Sequence, residues 1–342
     1  MDMTEILRLL CAEKGVSGNE DEMADIIKKL LPENMEIISM DNGTLIARTG
    51  NIDAEPHIML DAHIDRIGLI VTYIDDRGFI KAEPVGGIDL RTLSGSAVAI
   101  KASGAADDIM GVICSVPPHL SKDDEGITRD NIWIDTGMSA EYVKENVLSG
   151  DRILVKSRFR TLLGNKAAVS GLDNRAGCAV LIRCAEILNG EELPCRLSLV
   201  FSSQEETNES GGRTAAFMLE PDEAVAVDVG FAKQSGVPSD KSGKQGGGPI
   251  ITISPVLSRK ISNRLIKIAR EMNINFDYET DGGATGTNAD AISATRGGVP
   301  CGLISVPEKN MHTQTETVSL NDIEDTAALL AAYVKRGGMN GD

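Results

Sequence analysis

The chain has 342 residues, of which 42% are apolar and 25% charged, a composition typical of folded globular proteins. Its 34 basic and 51 acidic residues give a net charge of −17, which disfavours binding to nucleic-acid phosphates. No run of about 18 apolar residues predicts a membrane span, and the first residues lack the apolar core of a signal peptide. We therefore expect a cytoplasmic protein that binds neither nucleic acids nor membranes.

The first 66 residues predict two amphipathic helices followed by three short strands. These elements are predicted over residues 4–14, 19–31, 35–39, 44–47 and 57–60. The last strand runs into the polar sequence Asp61-Ala62-His63-Ile64-Asp65. Polar residues directly after a buried strand are the first candidates for chemistry in this chain.

Between residues 67 and 161 the pattern changes to short β-type runs separated by Gly, Asp and Pro turns. The runs cover residues 68–74, 79–83, 97–102, 109–116, 132–135 and 152–155, with one helical segment at 139–146. Short strands at regular spacing are typical of a small barrel or sandwich. We interpret residues 67–161 as an inserted β domain, and we expect it to carry subunit contacts because it supplies none of the candidate ligands.

After residue 162 apolar strands alternate with amphipathic helices. Strands are predicted at 197–202, 224–227, 250–253, 276–279 and 301–306, and helices at 173–188, 212–219, 258–272, 289–295 and 321–336. This alternation is typical of an α/β sheet covered by helices on both faces. The simplest account is one α/β domain, built from residues 1–66 and 162–342, into which the β domain is inserted.

The six cysteines show no C-x-x-C pairing, and three of them lie in apolar helical or strand-like runs. This distribution favours buried, reduced thiols over a disulfide framework or a zinc knuckle.

Several carboxylates and histidines fall where strands or helices of the predicted sheet begin or end. Ligands of open α/β sheets bind beyond the carboxyl ends of the strands. The candidates are His63, Asp65, Asp173, Glu205, Glu206, Asp228 and His312. Imidazole with carboxylate oxygens suits Zn²⁺, Co²⁺ or Mn²⁺. Each residue alone also has a structural interpretation, such as a helix cap or a solvated loop, so the pattern leaves a metal site and a polar rim as alternatives.

Five ordered motifs resemble the signatures of the M42 family of co-catalytic metallo-aminopeptidases, which includes glutamyl and tetrahedral aminopeptidases. They are Asp61-Ala62-His63-Ile64-Asp65-Arg66-Ile67-Gly68, Gly171-Leu172-Asp173-Asn174-Arg175-Ala176-Gly177, Gln204-Glu205-Glu206, Ala226-Val227-Asp228-Val229, and Val306-Pro307 with Met311-His312. The resemblance runs nearly end to end and includes Val85-Gly86-Gly87 and Gly286-Thr287-Asn288-Ala289. It implies a phosphorylase/hydrolase-like metallopeptidase fold, a mixed sheet sandwiched by helices, with an inserted β-barrel.

The resemblance also implies two divalent metal ions per chain, with Zn²⁺ or Co²⁺ favoured over Mn²⁺. Asp173 would bridge the two ions. His63 and Asp228 would complete the coordination of one ion, and Glu206 and His312 that of the other. Such a centre would hydrolyse N-terminal residues from short peptides.

Two further roles follow from the resemblance. Glu205 would act as the general base, since it lies beside a ligand without being one. Asp65 would orient the imidazole of His63. The Asp173–Asn174 peptide bond would be cis. The resemblance further implies a homo-oligomer assembled through the inserted domain, often a tetrahedral shell of twelve subunits.

The chain departs from the family at Arg66, where the family usually has Glu, and in the polar segment 207–212. Both departures leave the substrate preference open. Three other functions remain as alternatives: a metal-dependent deacylase or amidase of small N-acyl substrates, a glucanase, and an inactive assembly homologue. The glucanase is disfavoured because aromatic residues, which commonly support sugar binding, make up only 3% of the chain.

Overall fold

The computed structural model describes residues 1–12, 15–51, 53–117, 119–120 and 126–341. The helices in these residues are α1 Met3–Ala12, α2 Asp21–Leu30, α3 Ala140–Asn146, α4 Leu172–Leu188, α5 Glu205–Asn208, α6 Ser210–Leu219, α7 Arg259–Glu271, α8 Asn288–Ser293 and α9 Leu320–Lys335. The last two residues of the helix predicted at 4–14 lie outside the described residues. In the described part of the chain, no helix has both the length and the apolar composition needed to span a bilayer.

The strands form one large mixed sheet and one closed barrel, which confirms the predicted fold class. They are β1 Glu36–Ser39, β2 Leu45–Thr49, β3 His57–His63, β4 Gly68–Ile74, β5 Ile80–Val85, β6 Ala97–Ile100, β7 Ile109–Ile113, β8 Ile132–Asp135, β9 Arg152–Val155, β10 Arg160–Leu162, β11 Lys166–Val169, β12 Arg196–Ser202, β13 Glu223–Phe231, β14 Ile250–Ile253, β15 Asp277–Thr280, β16 Cys301–Lys309 and β17 Glu316–Ser319.

Four parallel strands form the centre of the large sheet. The strand order is β1-β2-β12-β3-β13-β16-β17-β11-β10, with β14 beside β16 and β15 beside β14. The neighbours β12 and β3, β3 and β13, and β13 and β16 run parallel. Parallel strands are covered on both faces and therefore read as continuous apolar runs, which is why the sequence predicts these four. Their carboxyl ends meet at one edge of the sheet.

Strand β3 shows how the two faces of the sheet are covered. Its side chains alternate, as the period of a strand requires. Ile58 and Leu60 belong to the larger apolar core, which also contains residues of α1, α4, α7 and α9. Met59 belongs to a second core with residues of α6 and α8. All six cysteines are free thiols, five of them buried and Cys114 half-buried.

The inserted segment forms a closed barrel of six antiparallel strands in the order β4-β5-β8-β7-β6-β9. Pairing of Leu69 with Ile153 closes the barrel between β4 and β9. The barrel has an apolar core of its own, separate from the two cores of the large sheet. Helix α3 begins after Ser139, whose hydroxyl accepts a hydrogen bond from the amide of Tyr142 (3.2 Å).

Three strands of the large sheet are missing from the sequence prediction: β10, β11 and β17. Strand β10 is exposed along its whole length, so it has no apolar run to reveal it. It pairs with β11, and the predicted domain boundary between residues 161 and 162 falls within it. Strands β3, β13 and β16 each extend at least three residues beyond their predicted ends, to His63, Phe231 and Lys309. His63 therefore ends β3 and Asp228 lies inside β13, rather than directly after these strands.

Candidate metal centre

The seven candidate residues predicted from the sequence come together at the carboxyl edge of the four parallel strands. His63 ends β3, Asp228 lies in β13, and His312 lies in the turn between β16 and β17. Glu205 and Glu206 begin α5, which follows β12. Asp173 lies near the start of α4. All seven residues except Asp65 line one cavity of about 620 Å³. Asp65 is buried behind the others.

Six of these residues form two clusters with the geometry of metal-ion sites. In each cluster the possible ligand atoms lie within 4.8 Å of one another. The clusters are His63 with Glu205 and Asp228, and Asp173 with Glu206 and His312.

The carboxylate of Asp173 joins the two clusters. Its Oδ1 lies 3.1 Å from Nε2 of His63, and its Oδ2 lies 3.1 Å from Nε2 of His312. Asp173 thus lies between the two clusters. Glu205, which the sequence analysis does not predict to be a ligand, is a member of the first cluster.

The backbone around Asp173 is held by buried groups. The Asp173–Asn174 peptide bond is cis, as the resemblance implies. The amides of Leu172 and Asp173 donate to Oε2 of Glu316 at 2.7 and 3.4 Å. The side-chain amide of Asn174 donates to the carbonyl oxygen of Val227 (2.8 Å). These contacts fix the direction in which the Asp173 carboxylate points.

Asp65 holds the first turn of α5 in place. Its Oδ1 accepts a hydrogen bond from the Glu205 amide (3.0 Å), and its Oδ2 accepts one from the Glu206 amide (3.1 Å). Nδ1 of His63 lies 3.1 Å from the carbonyl oxygen of Asp65 and 3.4 Å from its Oδ1. One buried residue therefore positions the His63 ring and both neighbouring glutamates, a wider role than the sequence predicts.

Crowded carboxylates dominate the electrostatics of the site. Burial and the neighbouring Asp173 raise the pKa of Glu206 to about 8. Burial alone would lower the pKa of His312, but the contact with Asp173 and other nearby carboxylates raise it to about 10. Burial also raises the pKa of Glu205. Buried charges of one sign need a partner of the other sign.

The donor set suits divalent cations. It consists of two imidazoles and four carboxylates, the ligands that Zn²⁺, Co²⁺ and Mn²⁺ accept. Oε1 of Glu206 is buried and has no hydrogen-bond partner in the described residues, so it is free to bind an ion. The residues present therefore fit a two-metal centre.

Sequence reasoning assigns no role to two residues that contribute to the site. Glu316, which positions Asp173, lies four residues after His312. The motif that ends in His312 was therefore the sequence signal nearest to it. The carbonyl oxygen of Gly87, next to the barrel, accepts a hydrogen bond from Nδ1 of His312 (2.9 Å). A Cβ at Gly87 would lie 2.9 Å from that same Nδ1, so this position requires glycine. Gly87 belongs to the Val85-Gly86-Gly87 motif of the family resemblance, but the sequence does not reveal that its carbonyl oxygen contacts His312.

The cavity beyond the two clusters is also rich in carboxylates. Glu209, Glu279 and Asp281 line it, while its one lysine in the described residues, Lys241, is paired with Asp281. Burial and the neighbouring Asp281 raise the pKa of Glu279. This part of the cavity therefore carries a formal net negative charge.

Comparison with known proteins identifies the family. The family model described as M42 glutamyl aminopeptidase matches residues 43–329. The chain therefore belongs to this family of peptidases, which confirms the resemblance seen in the sequence.

Relatives and solved structures of similar sequence cover nearly the whole chain. The lysyl aminopeptidase of Pyrococcus furiosus is 30% identical and aligns over 97% of this chain and 96% of its own length. An aminopeptidase from the archaeon Desulfurococcus kamchatkensis superimposes with a TM-score of 0.91 at 28% identity, covering 97% of this chain and 94% of that one. The Pyrococcus horikoshii TET1 peptidase, which can assemble into a tetrahedron or a large octahedral shell, gives a TM-score of 0.86 at 31% identity, covering 97% and 99% of the two chains.

Proposed function

We propose that this chain is a two-metal aminopeptidase that removes N-terminal residues from short peptides. The observation that carries the proposal is the pair of metal-type clusters joined through one carboxylate, Asp173. His63 and Asp228 would hold one ion and Glu206 and His312 the other, with Asp173 between them. Two divalent cations bound there would polarise the scissile carbonyl and lower the pKa of water.

Glu205 is proposed as the general base. Its carboxylate lies in the cavity and its pKa is raised by burial, so it binds a proton more readily than an exposed glutamate. It would accept a proton from the attacking water and deliver it to the nitrogen of the leaving amine as the C–N bond breaks. Asp65 would keep Glu205 in position by holding its backbone amide.

A panel of amide substrates tests the proposal against its alternatives. We expect an aminoacyl amide with a free amine to be cleaved faster than its N-acetyl derivative, because the carboxylate-rich cavity attracts a cationic terminus. Faster cleavage of the N-acetyl form would favour the deacylase. Release of sugar from a β-glucan, with no amide cleavage, would favour the glucanase. No turnover of any substrate would favour the inactive homologue.

The cavity also predicts which N-terminal residues are preferred. We expect lysyl and arginyl amides to be cleaved with a higher kcat/KM than glutamyl amides, because Glu209, Glu279 and Asp281 face one lysine that is already paired. Glu279→Gln should reduce this preference, whereas Glu324→Gln, at a half-buried position of α9 paired with Arg183, should leave it unchanged. A wild-type preference for glutamyl amides would contradict the prediction.

Metal binding should release protons at neutral pH. Glu206, with a pKa of about 8, and His312, with a pKa of about 10, hold protons at pH 7 that a cation must displace. Because these pKa values lie above 7, lowering the pH increases the competition and weakens metal binding. Burial would lower the pKa of His63, but Glu205 and other nearby carboxylates raise it, so this ligand also holds a proton at pH 7. We expect release of at least two protons per chain at pH 7 and fewer at pH 9. Release measured with an indicator dye in weak buffer checks this, and uptake without release at pH 7 would contradict it.

We propose that residues 67–161 mediate assembly into a homo-oligomer, with the tetrahedral dodecamer as the candidate form. Met110 and Val112 are about half exposed and point outward from β7 of the barrel. Met110→Lys with Val112→Glu should reduce the mass measured by sedimentation. The matched pair Ile37→Lys with Val256→Glu, outside the barrel, should not. A wild-type chain that is strictly monomeric at micromolar concentration would contradict the proposal.

A further inference from the structure

A second cavity, of about 190 Å³, is lined in part by Arg66 and shares no lining residue with the cavity of the candidate metal centre. Arg66 and Ser170 are buried and form its inner wall. Arg8 and Lys156 are exposed and stand at its mouth, beside the half-buried Ser157. Three cationic side chains and two hydroxyl groups thus surround one small space. None of them takes part in the proposed peptidase mechanism.

Arg66 is a buried cation without a matching ion pair. It is 3% exposed, and its guanidinium donates a hydrogen bond to the hydroxyl of Ser170. Its Nε has no hydrogen-bond partner, and none of its nitrogens lies within 4.0 Å of a carboxylate oxygen in the described residues. Glu316 is the carboxylate that acts most strongly on it from beyond that distance. A guanidinium removed from water without a counterion is costly, so a bound anion would stabilise this arrangement.

The mouth of the cavity adds further positive charge. Neither Arg8 nor Lys156 lies within 4.0 Å of a carboxylate in the described residues; Arg8 instead stacks on the ring of Phe159 at 4.8 Å. A neighbouring groove shares Lys156 with the cavity and carries Arg158 and Arg160. In a chain of net charge −17, such a concentration of cations marks a local anion-attracting surface.

We infer that this cavity binds a small oxoanion of the phosphate class. Arg66 and Lys156 both line the cavity. A guanidinium binds phosphate oxygens through planar N–H donors, and a lysine ammonium adds a point charge. Pockets for drug-sized ligands measure about 300–1,000 Å³, so a cavity of about 190 Å³ suits a smaller ion. A free amino acid fits poorly, because its ammonium group would face three cations. This inference does not depend on the proposed peptidase activity.

The inference is tested by calorimetry, in which inorganic phosphate is titrated into the purified protein. Sodium chloride is kept constant at about 0.15 M. We expect one phosphate per chain and a raised unfolding temperature. Lys156→Met and Arg66→Gln should each weaken binding by about tenfold or more, the effect of losing one charge-assisted hydrogen bond. Lys267→Met removes the same charge from α7 and should bind phosphate as the wild type does.

Three results would overturn the inference. One is the absence of saturable phosphate binding by the wild-type protein. Another is equal affinity in the wild type and in both pocket variants. The third is binding that disappears when divalent metals are chelated but survives both substitutions, since it would place the phosphate at the metal centre. If Arg66→Gln does not fold, Lys156→Met and Ser170→Ala give the same comparison from the mouth and the inner wall.

Discussion

Glu205→Gln is expected to lower kcat on a free-amine peptide by about 10²–10⁴-fold while the metal content of the protein stays nearly unchanged. Glutamine keeps the size of the side chain and removes its basicity, so the loss should equal the contribution of a general base. The measurement pairs kcat with metal stoichiometry from elemental analysis. The metal measurement is needed because Oε2 of Glu205 lies only 3.7 Å from Nε2 of His63, which we propose as a metal ligand.

Glu206→Gln is the matched control, because it makes the same chemical change at the next residue. Glu206 belongs to the cluster of Asp173 and His312, and we expect its substitution to lower the metal content. If Glu205→Gln loses a metal ion while Glu206→Gln keeps both ions and stays active, the two roles are assigned in reverse. If neither substitution affects hydrolysis, the peptidase proposal itself fails.

Asp173→Ala is expected to remove both metal ions and all measurable turnover. Its two carboxylate oxygens face the histidines of both clusters, so no other single side chain in the described residues is placed to serve both sites. Loss of an outer contact to a metal ligand costs about 10–100-fold in metal affinity, and loss of the shared ligand should cost more than about 100-fold. Metal affinity measured by competition with a chromophoric chelator checks this.

Asp222→Ala serves as the control for Asp173→Ala. Asp222 accepts a hydrogen bond from the amide of His57 (2.7 Å). His57 begins β3, so this contact lies at the end of the parallel strands opposite to the clusters. Its substitution should leave both the metal content and kcat close to wild type. Retention of one tightly bound ion in Asp173→Ala would show that the two clusters bind metal independently.

The central strands could be predicted from the sequence because parallel strands buried on both faces leave an apolar run. Strand β3 is buried along its whole length, and its register with β12 pairs His63 with Ser202, just before the two glutamates. Exposed strands leave no such run, and β10 was missed for that reason. The pairing of β11 with β17 joins Lys166 to Ser319, a contact distant in sequence that no local pattern contains.

The location of the candidate site could also be predicted, because strand ends at one edge of a sheet must meet. The different roles of Glu205 and Glu206 could not be derived in the same way. They lie in a helical turn after Gln204, which has a left-handed φ of 57°. Consecutive residues of a helix point about 100° apart, so Glu205 faces His63 while Glu206 faces His312. The buried support by Asp65 depends on tertiary contacts alone.

Titration of metal-free protein with Zn²⁺ or Co²⁺, followed by the rate of N-terminal residue release, tests the two-metal proposal most directly. We expect no release without metal and a rate that rises until two ions per chain are bound, since both clusters share Asp173. Full activity of the metal-free protein, or a rate that no amount of metal restores in correctly folded protein, would contradict it.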